Sequence, residues 1–273
     1  MAGTLYLVGT PIGNLGDLSP RAAEILGSVD FIAAEDTRVT LKLLNHFGIK
    51  KPLLSYYEHN KIESAAVILP RLLAGESCAL VTDAGCPAIS DPGEDLVRLC
   101  AGAGVPVCAI PGPCAAITAL SVSALATGRF AFEGFLPAQK KERRERLERL
   151  KAEDRTMIFY EAPHRLRETL DALLAAFGPD RPVSLCRELT KLHEEVLRLT
   201  LGQAADYYKA NEPRGEYVLV VGGAEPGLES VSLEQAADMV RALMAEGLRT
   251  KDAVKQVSEE TGVAKNALYA AVV

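Results

Sequence analysis

The segment CALVTDAGCPAISDPG, residues 78–93, joins a short apolar run to a loop rich in Gly, Pro and Asp. The run Cys78–Thr82 is typical of a buried strand, because it is short, apolar and bounded by turn-forming residues. The same pattern recurs at Val105–Ile110, which leads into the turn PGP at residues 111–113. Open α/β sheets bind ligands at the carboxyl ends of their strands, where such loops lie. The segment therefore predicts an α/β fold with a ligand site at the strand ends.

Outward from this segment, short apolar or β-branched runs alternate with segments of helical period along most of the chain. This alternation predicts a mainly parallel sheet covered by helices. Further strands are predicted at Leu5–Val8, Phe31–Ala34, Phe130–Leu136, Thr156–Tyr160, Val183–Cys186, Glu194–Leu199 and Tyr217–Val221. Helices are predicted from Pro20 (capped by Ser19), Thr40, Lys61, Glu94, Ala115, Arg165 and Gln203.

The chain divides by composition into three parts. The run Phe130–Leu136 leads through Pro137 into a basic helix, which marks a boundary. We predict two α/β domains, over residues 1–137 and 138–227, and a helical appendage over residues 228–273. The end of the appendage, AVKQVSEETGVAKNALYAAV, has helix-turn-helix spacing. Its charge is mixed rather than basic, which favours a packing or RNA-docking role over DNA reading.

Composition excludes several classes of protein. With 48% apolar and 24% charged residues, the 273-residue chain is an ordinary globular protein. Its six cysteines include no C-x-x-C pair, so neither a zinc site nor a disulfide framework is indicated. No apolar stretch is long enough to cross a bilayer, and the start MAGTLYLVGT does not resemble a secretion signal. We expect a cytoplasmic protein that binds no metal and no membrane.

The charge pattern leaves one region open to two interpretations. The net charge of −6 argues against indiscriminate binding to nucleic acid. Between Lys140 and Lys151, however, seven basic residues stand against three glutamates, a local net charge of +4. This stretch is either a solvated helix with internal ion pairs or a surface that faces RNA.

Three further loops contain residues that could contact a ligand. The first, GTPIGNLGD at residues 9–17, lacks the G-x-G-x-x-G spacing of a dinucleotide site. The second, AIPGPCAA at residues 109–116, opens a helix whose free N–H groups face the strand ends. The third is FYEAPHR at residues 159–165. In the segment quoted first, Asp83 and Asp91 either bind a ligand or cap a turn.

Taken in order, six segments resemble the signature of the tetrapyrrole (corrin/porphyrin) methylase superfamily, in its branch that methylates small-subunit ribosomal RNA. They are GTPIGNLGDLSPRA, AAEDTR, DAGCPAISDPG, PGPCAA, FYEAPHR and PRGEYVLVV, and the resemblance spans roughly residues 4–222. It implies two α/β domains with S-adenosylmethionine bound between them, and a homodimer. It also implies methyl transfer to the ribose 2′-oxygen of a cytidine in 16S ribosomal RNA. One departure is Cys114, where the family pattern has Ser.

The resemblance also implies site residues. Cofactor contacts are expected from Pro11, Asp83, Cys86, Cys114, Ala115, Tyr160, Glu188 and Glu216. For Glu188 and Glu216, a satisfied buried carboxylate is an equally good interpretation. The activated methyl donor needs no metal, but a ribose hydroxyl gains from a general base. The candidate bases are Glu161 and His164, ranked first, and then Glu35, Asp36 and His59.

Contacts to 16S ribosomal RNA, or to the small ribosomal subunit, are expected from basic and polar residues. These are Arg38, His59, Asn60, Lys61, Lys140, Lys141, Arg143, Arg144, Arg165 and Arg187. Three other functions stay open. The same fold serves corrin or porphyrin C-methyltransferases and diphthine-synthase-like protein methyltransferases, and a non-enzymatic nucleotide-binding module would show the same periodicity.

Overall fold

The structure is a computed structural model that describes residues 2–224, 232–261 and 263–272. The chain forms two compact units, residues 1–223 and 224–273. Among the described residues, no helix combines the length and hydropathy needed to span a membrane. The predicted domain boundary at residue 227 lies outside the described residues.

The first sheet of the larger unit is entirely parallel, with strand order β3-β2-β4-β1-β5. Its strands are β1 (Leu5–Val8), β2 (Phe31–Ala34), β3 (Leu53–Ser55), β4 (Cys78–Val81) and β5 (Val107–Ile110). The helices between and after them are α1 (Pro20–Ser28), α2 (Thr37–His46), α3 (Lys61–Leu73), α4 (Glu94–Gly102) and α5 (Ala115–Val122). Because the strands share one direction, their carboxyl ends meet at one edge.

Alternating side chains of this sheet pack into two separate cores. Phe31 and Ala33 pack with residues of α3 and α4, whereas Ile32 and Ala34 pack with residues of α1 and α2. A strand buried on both faces has this nearly continuous apolar composition. Helix α5 packs instead on the second sheet, against Ile158 and Val218 among others.

The second sheet is mixed, with strand order β6-β7-β10-β8-β9. Its strands are β6 (Phe130–Phe135), β7 (Thr156–Glu161), β8 (Pro182–Arg187), β9 (Glu195–Thr200) and β10 (Tyr217–Val221). Only the pair β6 and β7 is parallel. Helices α6 (Lys140–Leu150), α7 (Leu166–Phe177) and α8 (Leu201–Ala210) pack on one face, and α5 packs on the other.

Most predicted elements occur where the sequence pattern indicated. Ser19 caps α1, because its Oγ accepts from the N–H of Ala22 at 3.1 Å. Helix α2 begins at Thr37, three residues earlier than predicted, because the Asp36 carboxylate accepts from the N–H of Arg38 at 2.8 Å. The predicted boundary at residue 137 follows β6, although β6 pairs with the second sheet.

The smaller unit is helical, as predicted. Its helices are α9 (Leu233–Ala245), α10 (Thr250–Thr261) and α11 (Lys265–Val272). Ser232 and Gln235 form a reciprocal capping box at the start of α9. The three helices bury a small core of their own, which includes Val240, Val254 and Leu268.

Candidate functional site

A cavity of about 470 Å³ lies in the larger unit, lined by residues of both sheets. The first wall consists of Ile12 and the loops that follow β2, β4 and β5. The second wall consists of residues at or just after the ends of β6, β7 and β8, and of residues at the start of β10. The size of the cavity is in the range of sites for small molecules. Seven of the eight predicted cofactor residues line it: Asp83, Cys86, Cys114, Ala115, Tyr160, Glu188 and Glu216. The eighth, Pro11, does not, but its neighbour Ile12 does.

Backbone contacts hold the loops of the first wall together. Thr10 and Gly85 exchange two hydrogen bonds, from the N–H of Thr10 at 2.9 Å and from the N–H of Gly85 at 3.0 Å. The Thr10 hydroxyl also donates to the carbonyl of Thr82 at 3.0 Å. Gly9 and Gly112 touch directly, and a Cβ added to Gly112 would lie 2.9 Å from the Cα of Gly9. Glycine is therefore required where these two loops meet.

Several carboxylates face the cavity or its edge. Glu35 accepts from the Thr82 hydroxyl at 2.5 Å and from the Asp83 N–H at 3.4 Å. Asp83 accepts from the N–H of Asp36 at 3.1 Å, and burial raises its pKa. Burial and the charge of Glu35 raise the pKa of Asp91 to about 6. Asp36 differs, because its ion pair with Arg38 lowers its pKa to about 2.

Two cysteines lie side by side in the cavity. The Cys86 thiol donates to the carbonyl of Pro113 at 3.4 Å. Its closeness to Cys114, together with N–H groups at the start of α5, lowers the pKa of the Cys114 thiol. The pKa of Cys86 itself is raised by the neighbouring Cys114 thiol and by burial. Cys114 occupies the N-cap position of α5, so the departure from Ser places a polarisable sulfur at a helix N-terminus.

Tyr160 forms part of the opposite wall. Its hydroxyl accepts from the N–H of Ala116 at 3.2 Å, and burial raises its pKa to about 12. Phe132 and Phe135 stack edge-on against it, with ring centroids 5.1 and 5.6 Å away. A neutral phenol held by two aromatic rings is a rigid, partly apolar surface for a ligand.

Glu188 and Glu216 share an ion-pair partner, Lys191, that no sequence motif indicates. The Lys191 ammonium lies 2.9 Å from a Glu188 oxygen and 2.7 Å from a Glu216 oxygen. Glu188 also accepts from the N–H of Glu216 at 2.9 Å. These contacts satisfy Glu188 and neutralise part of the negative charge on this side of the cavity. A lysine between two motifs carries no pattern that would reveal this role.

The candidate bases occupy different environments. Glu161 lines the cavity but is only 3% exposed, and it accepts from the N–H of Ala162 and the hydroxyl of Thr169. His164 is exposed in the short helical turn Pro163–Arg165 and does not line the cavity. His59 is also exposed and outside the cavity. Of the five candidates, Glu35 and Glu161 line the cavity, and Asp36 lies beside it.

One predicted RNA contact is wrong. Arg143 is 4% exposed, and its guanidinium lies 2.6 Å from Glu168 and donates to the carbonyls of Pro137 and Ala138. Arg143 therefore anchors α6 to α7, because its position on the helix points towards the core. The signal against it was the helical period, which places Arg143 on the same face as Leu147 and Leu150.

The other predicted RNA contacts fall into two groups. Some already have protein partners: Asn60 accepts from the N–H of Tyr57, Lys61 pairs with Glu58 and Asp95, Arg165 donates to Leu136, and Arg187 pairs with Glu195. The exposed group comprises His59, Lys140, Lys141 and Arg144, together with Arg38, which is exposed although it pairs with Asp36. Within the described ranges, no cluster of three or more His, Cys, Asp or Glu is arranged to hold a metal.

Comparison with known proteins gives this geometry its context. The family described as Tetrapyrrole (Corrin/Porphyrin) Methylases matches residues 4–205, and the RsmI C-terminal HTH domain matches residues 230–273, where helix-turn-helix spacing was predicted. A solved structure, the uroporphyrin-III C-methyl transferase of Thermus thermophilus complexed with S-adenyl homocysteine, has a TM-score of 0.57. It is 20% identical over 81% of this chain and 97% of its own, which shows a shared fold.

Relatives of higher identity extend over the whole chain. The ribosomal RNA small subunit methyltransferase I of Synechocystis sp. is 50% identical over 98% of this chain and 96% of its own. The protein of the same name from Escherichia coli O157:H7 is 48% identical over 98% and 93%. The chain therefore belongs to the tetrapyrrole (corrin/porphyrin) methylase family and, within it, to the ribosomal RNA small subunit methyltransferase I group.

Proposed function

We propose that this chain transfers a methyl group from S-adenosylmethionine to the ribose 2′-hydroxyl of a cytidine in 16S ribosomal RNA. The proposal rests on sequence identity. Two proteins named ribosomal RNA small subunit methyltransferase I are 50% and 48% identical to this chain over 98% of its length. The same proposal holds that the protein acts in the cytoplasm and as a homodimer. This part of the proposal rests on the family resemblance alone.

The residues of the cavity fit S-adenosylmethionine, which is a cation with an adenosine and an amino-acid end. Glu35, Asp83 and Asp91 place negative charge along one wall, which favours a positively charged ligand. Phe135, Tyr160 and Ile12 supply apolar surface for a base. When bound, the cofactor supplies an activated methyl group that needs no metal. The cavity residues hold it, exclude water and leave an approach for the acceptor hydroxyl.

The two other methyltransferase functions share this fold but not this similarity. Fold likeness to the uroporphyrin-III enzyme accompanies only 20% identity. The relatives named for ribosomal RNA are more than twice as similar to this chain. The comparison therefore favours an RNA acceptor over a tetrapyrrole ring or a modified side chain on a protein.

The decisive experiment uses small ribosomal subunits from cells that lack this protein. Incubation with the purified protein and labelled S-adenosylmethionine should place one ribose methyl group on a cytidine of 16S ribosomal RNA. Subunits from cells that contain the protein should accept none, because their site is already methylated. Label on a base, on a protein or on added porphyrinogen instead would contradict the proposal.

We expect Asp83→Ala to weaken binding of S-adenosylmethionine about tenfold with the fold retained, because one charge-assisted hydrogen bond contributes about 1.5 kcal/mol. Isothermal calorimetry measures the affinity. The matched control is Asp206→Ala, which removes an exposed carboxylate outside the cavity. Equal affinities of the wild type and Asp83→Ala would count against this placement of the cofactor.

The exposed basic residues of α6 should contribute to RNA affinity. We expect replacement of Lys140, Lys141 and Arg144 by Gln to raise KM for small subunits and to flatten its salt dependence, because each phosphate contact releases counterions. Arg143 is left intact, since it anchors the helix. Cofactor affinity should not change.

The same helix offers a control of opposite sign. Replacing Glu142 and Glu145 by Gln makes α6 more basic and should lower KM if the helix faces RNA. If both variants keep the KM and the salt slope of the wild type, α6 is only a solvated face.

A further inference from the structure

A second, smaller cavity of about 270 Å³ lies beside α8, where β8 ends and β10 begins. Its lining combines aromatic rings with charges of both signs. It includes the rings of Tyr207 and Tyr217, the cations Arg187 and Arg214, and the carboxylates Glu195 and Glu212. An aromatic surface next to hydrogen-bond donors and acceptors is suited to a planar polar ring.

The smaller cavity shares a wall with the larger one. Tyr217 lines both of them. Arg187 lines the smaller cavity, and the next residue, Glu188, lines the larger. Within the sheet, Tyr217 pairs with Arg187 on one side and with Glu161, a residue of the larger cavity, on the other. An RNA chain with one nucleotide in the larger cavity can therefore place a neighbouring nucleotide in the smaller one.

Hydrogen bonds fix the buried part of the smaller cavity. The Tyr208 hydroxyl donates to the Tyr217 hydroxyl at 3.4 Å, and the same Tyr217 oxygen accepts from the N–H of Arg214 at 3.2 Å. The Arg167 guanidinium holds the end of α8, because it donates to the carbonyls of Tyr208 at 2.8 Å and Asn211 at 3.2 Å. The protein itself therefore holds this wall in place, which lowers the entropic cost of binding a ligand.

The other lining residues keep surface or donors for a ligand. Tyr207, on α8, is 38% exposed, so part of its ring is open. Arg187 Nε is buried and has no hydrogen-bond partner in the described part of the chain, although a Glu195 oxygen lies 3.3 Å away. Arg214 is exposed and pairs with Glu212 at 3.3 Å.

The balance of charge in the smaller cavity indicates a base rather than a phosphate. Two arginines stand against two glutamates, so the lining has no net charge to attract a polyanion. A nucleobase is uncharged but presents donors and acceptors along its edge, and guanidinium and carboxylate groups match them. Its faces stack on aromatic rings. Proteins that read RNA sequence bind unstacked bases in this way.

We propose that the smaller cavity binds the base of a nucleotide adjacent to the methylated cytidine. That base stacks on Tyr207, and its edge hydrogen-bonds to Arg187 and Arg214. The subsite helps to select the cytidine, because only RNA with a suitable neighbouring base occupies both cavities. This inference rests on the proposed function.

The first test compares Tyr207→Ala with Tyr207→Phe. Loss of stacking should raise KM for unmethylated small ribosomal subunits by about 5- to 100-fold, with kcat and affinity for S-adenosylmethionine within about twofold of the wild type. Tyr207→Phe keeps the ring and should keep the KM of the wild type. The salt dependence of KM should change in neither variant, since stacking on an uncharged ring releases no counterions.

Arg214→Gln and Arg129→Gln form a matched pair. Each removes one exposed cation from an ion pair, at 3.3 Å with Glu212 and at 3.4 Å with Asp154. Arg129 precedes β6 and lines neither cavity. We expect Arg214→Gln to raise KM about tenfold, through loss of a charge-assisted hydrogen bond, and Arg129→Gln to leave KM unchanged. Equal increases would show that only net charge matters and would overturn the assignment.

Ultraviolet crosslinking tests the contact without reliance on turnover. Irradiation of the wild type with unmethylated small subunits should attach a nucleotide to the peptide that contains Tyr207, as mass spectrometry detects. A ribosomal protein attached to this peptide instead would overturn the proposal. This measurement decides between the two even if a variant fails to fold.

Failure of the subsite differs from failure of the proposed function. If the wild type methylates small subunits and Tyr207→Ala has a KM within about twofold of the wild type, the subsite is wrong although the proposed function stands. If the wild type methylates no subunits at all, the proposed function itself fails.

Discussion

Replacing Gly112 with Val is expected to reduce affinity for S-adenosylmethionine by more than about 100-fold, because a displacement of about 1 Å at a site has effects of that size. The Cβ would lie 2.9 Å from the Cα and 3.0 Å from the carbonyl oxygen of Gly9, and backbone atoms cannot rotate away. The two loops must separate. Ile12 follows one of them, and Cys114 and Ala115 follow the other, so the wall that they form would open.

Calorimetry and thermal unfolding together test this expectation. Overpacking of this kind also costs about 1–3 kcal/mol of stability, so the melting temperature should fall by several degrees. Gly27→Ala is the matched control, since nothing lies within 4 Å of its added Cβ and it sits inside α1. That variant should bind normally and be slightly more stable. Normal cofactor binding by Gly112→Val would show that the contact between the two loops does not shape the site.

The second large effect is expected from Glu161→Ala, as a loss of about 3–5 kcal/mol in the free energy of unfolding. Glu161 accepts from the N–H of Ala162 at 2.9 Å and from the Thr169 hydroxyl, and it lies 3.6 Å from the Arg165 guanidinium. Its removal leaves the buried Thr169 hydroxyl and the Ala162 N–H without this acceptor, and it takes the negative charge away from Arg165, which keeps its hydrogen bond to Leu136. Chemical denaturation measures the loss.

Matched variants separate this structural effect from others. Glu148→Ala removes an exposed carboxylate on α6 and should change the free energy of unfolding by less than about 1 kcal/mol. Glu161→Gln keeps an acceptor for Thr169 and should lose less than Glu161→Ala. A free energy of unfolding within 1 kcal/mol of the wild type for Glu161→Ala would contradict this role.

The fold was predictable where a strand is buried on both faces. Phe31–Ala34 and Cys78–Val81 are short apolar runs bounded by turns, and both form central strands. Leu53–Ser55 was missed, because a three-residue edge strand has too few residues to show a period. The antiparallel pairs of the second sheet were also not predicted. Strand direction depends on how the chain returns, and β8 and β9 form a hairpin across an irregular loop.

The sequence predicted which loops form the site, but it did not predict the role of each residue equally well. Asp83, Cys86 and Cys114 stand out because Gly and Pro surround them at strand ends, and the structure gathers them in one cavity. Asp91 has the same surroundings and was interpreted as a ligand contact or a turn cap. Burial beside Glu35 and Asp83 raises its pKa, and this environment depends on how the neighbouring strands β2 and β4 bring their following loops together. The prediction for Arg143 was wrong for the opposite reason. Its charge suggested an exposed side chain, but the residue is buried.

The cavity residues are spread along the chain, and this spacing determines when a bound cofactor can begin to stabilise the folded protein. The cavity includes Ile12 and Val218, which are separated by most of the larger unit. Val218 belongs to β10, which lies between β7 and β8 in the middle of the second sheet. A nascent chain therefore has no complete site until β10 has left the ribosome. A ligand that binds only the native state adds about 2.7 kcal/mol at 100 times its Kd. Truncated chains receive none of this stabilisation, and proteases should therefore remove them first.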